Sequence, residues 1–393
     1  MTLAPPRAAT RLATPAIVGS FLTLLVLGLL VSSMGPLLPA LRESFDVGPA
    51  AAGVLLASVP TGGLFGVLLS MTFARRYDTR LLLTVACGAL ALGQLGTALA
   101  PTWPLLLASG VVTGMGYGGV TSFVNGMVAA VYGARSTVLL NLLNGIFGVG
   151  AVLGPLCVGL VSSRVVYVGY AVLIAVAPLL FTSLAAGTPN SPAHHVARAD
   201  GGGHAGRLAL FALLFACYVA VEVATGGWIT SHLRAVSFSA ESAVRATSLF
   251  YAGLAAGRLV AAPVGLRVGP GPMLFTCAVG ASAALALAWA APLGGFAYAL
   301  AGMAMGPIFP TGLAWVSVDQ PSARHALPTM LIAGNLGGLL LPPLVGVLVG
   351  AVGAAAAPLP LAGAAAVCAA AIGGLLLHAR GLRSRTCASP SAS

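Results

Sequence analysis

Apolar runs of about 20 residues or more, each closed by Gly, Pro, Arg or a short polar turn, follow one another along almost the whole chain. At 1.5 Å per residue, a run of about 20 residues crosses a hydrocarbon core ~30 Å thick. The pattern therefore predicts membrane-spanning helices over 16–40, 49–74, 81–100, 103–132, 137–161, 166–186, 208–233, 243–266, 272–291, 293–317, 326–350 and 357–378. The first run follows Arg7 and Arg11 like a signal peptide, but it exceeds the usual apolar length of one and leads directly into further spans. It is expected to be retained. One long polar stretch interrupts the middle, TPNSPAHHVARADGGGHAGR from Thr188 to Arg207. It predicts a cytoplasmic linker (188–207) between an N-terminal bundle of six helices (1–187) and a C-terminal bundle of six (208–379), with a basic tail (380–393). The fold class expected is an all-α membrane protein of twelve transmembrane helices in two six-helix bundles.

Composition agrees with this pattern. The chain is 59% hydrophobic and 6% charged, against about a quarter charged in soluble domains. A net charge of +11 from 18 basic residues invites a nucleic-acid reading, but these residues, all arginine, lie singly or in twos and threes at the ends of apolar runs. No nucleic-acid partner is expected. With both termini on one side, thirteen arginines share that side and four, Arg42, Arg164, Arg234 and Arg245, lie opposite. The positive-inside rule then places both termini in the cytoplasm of a multi-pass protein of the cell inner membrane. Arg258 falls inside the eighth span. The six cysteines have no paired spacing, and the three linker histidines read as part of a flexible segment, so no metal or disulfide framework is expected.

An internal repeat supports the division. A shift of 188 residues lays Gly114, Met115 and Gly118 on Gly302, Met303 and Gly306, and Gly150, Leu153, Pro155 and Leu156 on Gly338, Leu341, Pro343 and Leu344. Leu41-Arg42 and Leu233-Arg234 match at a shift of 192. Such parallel repeats are found in two-bundle transporters. GMGYGG at Gly114–Gly119 contains GxGxxG, but no strand precedes it, and glycine at that spacing inside a span lets helices approach closely. There is no Walker A sequence, HExxH or GxSxG. An enzyme is not expected, no cofactor is implied, and uphill transport would have to draw on a gradient.

SMTFARRYDTR (Ser70–Arg80) and GRLVAAPVGLRVG (Gly257–Gly269) resemble degenerate copies of the cytoplasmic signature of the major facilitator superfamily, with Ala74 where an aspartate is usual. YVAVEVATGGW, LLNLLNGIFGVGAVLGP, AGRL, GPIFPT and AGNLGGLLLPPLVG, in their order, resemble the fucose/glucose proton-symporter branch of that superfamily. The resemblance implies the major facilitator fold, alternating access and a central site between the bundles. Arg75, Arg76, Arg80 and Arg258 are the candidate gating or cytoplasmic-motif residues. A monomer in the lipid bilayer is expected, taking a small-molecule substrate and protons.

Glu222 is the strongest single signal. It lies mid-span, ~20 Å from the cytoplasmic end on the helical rise, where a charge costs at least ~2.5 kcal/mol. Three roles fit it: a cavity-facing group that carries a proton or bonds substrate hydroxyls, a structural group hydrogen-bonded between helices, or a partner of Arg258. Arg258, nearer the cytoplasmic end of its span, is expected to snorkel toward the cytoplasm. Asn125, Asn141, Asn144, Asn335, Tyr117 and Trp228 are the candidate substrate-binding groups: asparagine both donates to and accepts from sugar hydroxyls, and an aromatic face stacks on a pyranose ring. Interhelical hydrogen bonding is the alternative for each. Asn141 and Asn144 share a helical face at i, i+3. Spans one and four carry no acid in mid-span, so proton coupling would fall on Glu222, failing which the protein is a uniporter or an exporter coupled through another residue. The function expected is proton-coupled transport of a small, sugar-like solute, with proton-antiport efflux of drugs or secondary metabolites as the alternative.

Overall fold

The structure is a computed structural model that describes residues 12–74, 76–133, 136–185, 188, 205–265, 267–319 and 326–387. Thirteen α-helices run through them: α1 (Thr14–Phe45), α2 (Pro49–Phe73), α3 (Thr79–Leu99), α4 (Trp103–Tyr132), α5 (Ser136–Leu160), α6 (Ser163–Phe181), α7 (Ala205–Ala235), α8 (Ala240–Gly265), α9 (Pro270–Ala288), α10 (Gly294–Met305), α11 (Ile308–Asp319), α12 (Ala326–Val352) and α13 (Pro358–Cys387). α10 and α11 are two segments of one span, Gly294–Asp319. Twelve membrane-length helical segments result, as the apolar runs predict. Eleven are also apolar enough to cross a membrane on hydropathy. The twelfth, α4, has the length but is diluted by Gly, Ser, Thr and Asn.

Local chemistry sets the helix ends. Asp78 caps α3 by accepting from the Arg80 amide at 3.2 Å. Pro104 lies in the first turn of α4, where its missing N–H costs nothing. α4 stops at Gly133, whose φ of 54° most side chains resist. Span ten breaks for a related reason. Pro307 and Pro310 supply no N–H, so the carbonyls one turn earlier, at Met303 and Gly306, lose their helical partners.

The chain divides into two compact units, Met1–Val31 with Ser58–His194 and Ser32–Ala57 with His195–Ser393. Small residues let helices approach closely within each, which is how spans associate where lipid removes the hydrophobic drive between them. In the first, a methyl on Gly114 would overlap the Val59 carbonyl; in the second, a methyl on Gly302 would overlap the Phe250 carbonyl. The end of α1 and the start of α2 belong to the second unit, where Gly35 meets the Gly226 backbone and Gly53 that of Pro342. Large apolar side chains such as Leu160, Val318 and Leu259 point outward, 82%, 81% and 76% exposed. That suits a lipid-facing surface and would be a liability in water.

Candidate functional site

α7 passes through the second unit without a break for 31 residues and carries Glu222 near its middle, 17 residues after Ala205 and 13 before Ala235. Tyr218, one turn earlier at i−4, shares its face. Arg258 of α8 acts electrostatically on the Glu222 carboxylate, and the Tyr218 hydroxyl lies close to it. Glu222 and Arg258 are half-buried, whereas Tyr218 is 2% exposed. The Tyr218 hydroxyl is enclosed without a hydrogen bond of regular geometry, and the charged pair stands within its reach.

The break in span ten explains why Arg258 is found there. α8 and α10 cross at Gly302 and Gly306, so close that a methyl on Gly306 would overlap the Leu254 carbonyl and come within 3.0 Å of the Arg258 amide nitrogen. Gly306 is therefore level with Arg258, and Gly306 falls near the middle of Gly294–Asp319. Its carbonyl, freed by Pro310, accepts from Arg258 Nε at 3.4 Å. Arg258, which the sequence leads one to expect to snorkel toward the cytoplasm, thus has its Nε tied to a backbone carbonyl of the neighbouring span.

Aromatic rings continue the site along α7 and α11. Phe309, three residues after the break, lies 5.9 Å from the Tyr218 ring and 5.5 Å from the Phe215 ring, the latter edge-on. Phe211 and Trp315 extend the series with centroids 5.0 Å apart. Behind Tyr218 is a small cavity lined by Val221, Ala278, Ala281, Met305, Ile308, Ala365 and Cys368. Its apolar lining makes it a packing void, with no group there to orient a polar ligand.

The other candidates are distributed differently. Trp228 is fully buried on α7 with its indole N–H unpartnered. Asn335 is half-buried on α12 and donates to its own helix at Leu331 O, 2.9 Å away. Tyr117, Asn125, Asn141 and Asn144 belong to the first unit. Tyr117 and Asn125 are half-buried, and Asn141 and Asn144 are exposed on α5, Asn144 donating to Leu140 O at 2.9 Å. Of the candidates, Glu222 and Arg258 lie on the packed helices α7 and α8, where the arginine acts electrostatically on the carboxylate. Arg76 and Arg80 are exposed at the α2–α3 turn, while Arg75, linker residues 189–204 and tail residues 388–393 lie outside the described residues.

Sequence reasoning passed over Tyr218, Phe309 and the freed Gly306 carbonyl. The signals were present, a tyrosine at i−4 from the acid and two prolines in GPIFPT, but they gain meaning only once α8 is placed against α10. It also passed over a buried ion pair. Arg207, 7% exposed in the first turn of α7, meets Asp319 at the end of α11. No cluster of metal-ligating side chains occurs among the described residues.

Residues 20–327 match the family model of the Major Facilitator Superfamily. The chain belongs to that superfamily. That superfamily is one of membrane transporters of small molecules, not of enzymes. Solved facilitators share its fold at low identity. The nucleoside transporter NupG aligns with a TM-score of 0.72 at 16% identity, over 92% of this chain and 98% of its own. A D-xylose-proton symporter aligns at 0.73 and 14%, over 91% and 96%. A bacterial homologue of the human lysosomal transporter Spinster aligns at 0.72 and 15%, over 92% and 96%. In sequence, 146 residues are 30% identical to the 4-hydroxybenzoate transporter PcaK of Pseudomonas aeruginosa, 37% of this chain and 32% of that protein. The chain thus spans about a third of that relative's length.

Proposed function

We propose that this facilitator couples movement of a small polar solute to protons, with Glu222 as the group that takes up and releases the proton. The observation that carries the reading is the placement of a carboxyl group mid-span beside an arginine and a tyrosine hydroxyl. A lone mid-membrane charge is costly, and ionisable groups kept there mark ion and substrate pathways. Arg258 offers Glu222 a counter-charge when ionised, and Tyr218 can hydrogen-bond the carboxyl group in either form.

The similar proteins are named for nucleosides, xylose and 4-hydroxybenzoate, compact solutes rich in hydrogen-bonding groups. A sugar-like solute would satisfy the Tyr218 hydroxyl but leaves the Arg258 charge without a role. The arginine distribution supports placement in the cytoplasmic membrane with both termini inside, and the repeat supports two six-helix halves alternating access to the site.

The test is solute flux in proteoliposomes of the full chain under an imposed pH gradient, with wild type and Glu222→Gln side by side. Gradient-driven accumulation in wild type, reduced to equilibrative exchange in the variant, is the expected result. Equal coupling in both removes Glu222 from the mechanism, and solute driven opposite to the protons replaces symport by efflux.

A further inference from the structure

We propose that His232 makes the α7–α8 turn a proton-sensitive flap: with the imidazole neutral, its bond to Tyr298 ties the end of α7 to α10, and protonation of His232 releases that end. The inference stands apart from the proton-coupled reading of Glu222, and takes from the proposed orientation only that this end faces outward.

His232 lies three residues before the end of α7, and Tyr298 in the second turn of α10. Both are fully buried, and the hydroxyl and the imidazole Nδ1 are 3.0 Å apart. Two contacts beside them complete the closure. A methyl on Gly294 would come within 2.8 Å of the Leu233 side chain, and one on Gly295 within 4.0 Å of the Phe238 ring. Between Leu233 and Phe238 the chain turns through Ser237, whose φ of 71° is a strained value for a residue with a side chain. Contacts hold that turn down, so it lifts when they weaken.

A count of donors and acceptors shows what a proton does here. The other ring nitrogen, Nε2, is buried without a hydrogen-bond partner. In the neutral pair with Tyr298 donating to Nδ1, one donor is left over, the Nε2 N–H. An imidazolium donates from both nitrogens. Its Nδ1 N–H then takes the Tyr298 oxygen as acceptor, and the Tyr298 O–H and the Nε2 N–H are both stranded beside a positive charge. Buried donors without acceptors and unpaired charges are costly. Water at the outer surface relieves both, so the proton favours the open form.

The groups around the ring supply no counter-charge. From α10 the titratable group is Tyr298 itself. At this level α8 brings uncharged Thr247, bonded to Thr230 at 3.0 Å, and further out Glu241 and Arg245, both exposed and paired with each other. On α7, Arg234 is exposed, and Glu222 is ten residues away, ~15 Å on the helical rise. At the α1–α2 turn, Glu43 and Asp46 are exposed and Arg42 is a further cation. α12 and Ala354–Ala356 contain no titratable residue. Asp319 of α11 meets Arg207 at the opposite end of α7, and Cys368 of α13 lies against Leu214, with His378 further along.

Amide hydrogen exchange, read by mass spectrometry on the purified full chain in detergent and corrected for the intrinsic rate at each pH, measures opening over residues 229–250 and 291–300. An imidazole in water takes its proton near pH ~6.5, so opening in wild type is expected to rise about tenfold from about pH 7.5 to about pH 5.5, with α3 and α4 unchanged. His232→Asn, whose amide still reaches Tyr298 but takes no proton, is expected to lose the response. His232→Gln gives the same reading should His232→Asn fail to fold. The other histidines are remote in the chain: His194, His195 and His204 belong to the linker, His325 precedes α12, and His378 is in the second half of α13. A wild-type turn whose exchange does not change with pH, or a response that persists in the His232 variants, overturns the proposal. Glu222→Gln is expected to keep the response even where it loses pH-driven flux, which separates the two readings; a response abolished by Glu222→Gln would assign the proton to that residue and overturn the role of His232.

Discussion

In the first unit, Gly114 lies against the Val59 carbonyl and Gly118 against the Gly63 carbonyl and the Val67 amide; in the second, Gly302 lies against the Phe250 carbonyl and Gly306 against the Leu254 carbonyl and the Arg258 amide. Val59, Gly63 and Val67 each precede their counterparts by 191 residues, beside the 188-residue shift of the glycines. The same helix crossing is thus built twice, and its chemistry differs. Where the second unit carries Arg258 the first carries Val67, and the 192-residue shift that aligns Leu41-Arg42 with Leu233-Arg234 sets the buried Leu30 opposite Glu222. α4 runs on past Gly118 as helix, while the corresponding span breaks after Gly306. The difference teaches that the glycines serve assembly in both units, whereas the charged pair and the helix break are particular to the second.

The comparison is broken most severely by enlarging its shared part. Gly118→Leu and Gly306→Leu each force a side chain into neighbouring backbone, a misfit whose cost exceeds the ~1–3 kcal/mol of ordinary overpacking. Both are expected to abolish the monodisperse peak in detergent size-exclusion chromatography. A well-folded Gly118→Leu protein would show that the first crossing is not tight. The unshared part should respond unequally. Glu222→Gln is expected to lower pH-driven accumulation about tenfold or more, while Leu30→Met, a swap of similar volume, changes it by less than about twofold. Equal losses would mean that the two positions do the same work.

Interhelical ties sharpen the contrast further. The second unit joins α7 to α11 through Arg207 and Asp319, and the first joins α3 to α4 through an uncharged bond from Gln94 Nε2 to Thr113 Oγ1 at 3.1 Å. Arg207→Ala strands a largely buried carboxylate and is expected to cost about 3 kcal/mol. The Arg207→Leu/Asp319→Leu double variant should recover most of that. The smallest effect is expected from Thr113→Val, about 1 kcal/mol for one neutral bond. Thermal unfolding in detergent ranks the three, and a double variant no more stable than Arg207→Ala would show that the pair stabilises by more than compensating its own charges.

Much of this architecture is legible along the chain because a membrane span needs a property that sequence carries directly, an uncharged run long enough to cross. The twelve spans and the position of Glu222 follow from that. α4 was recognisable by length, although its Gly, Ser, Thr and Asn content lowers its hydropathy. Candidate ligand groups were harder to judge from polarity alone. Asn144 and Asn335 each donate to a carbonyl of their own helix, a use that any asparagine in a span can find locally. Trp228, expected among the ligand groups, is fully buried in helix packing.

Arg258 marks the boundary between the two kinds of information most clearly. Its distance from the helix end pointed to the cytoplasm, because a long cationic side chain reaches water when nothing nearer competes. What its Nε meets comes from another helix: a Gly306 carbonyl left over by a proline four residues on. The sequence alone determined the helices, their number, the duplicated glycine spacing and the presence of one acid in mid-span, since each depends on residues within a single run. Only the tertiary structure decided that Arg258 meets a carbonyl freed at a broken helix, because that meeting depends on how closely glycine lets α8 approach α10.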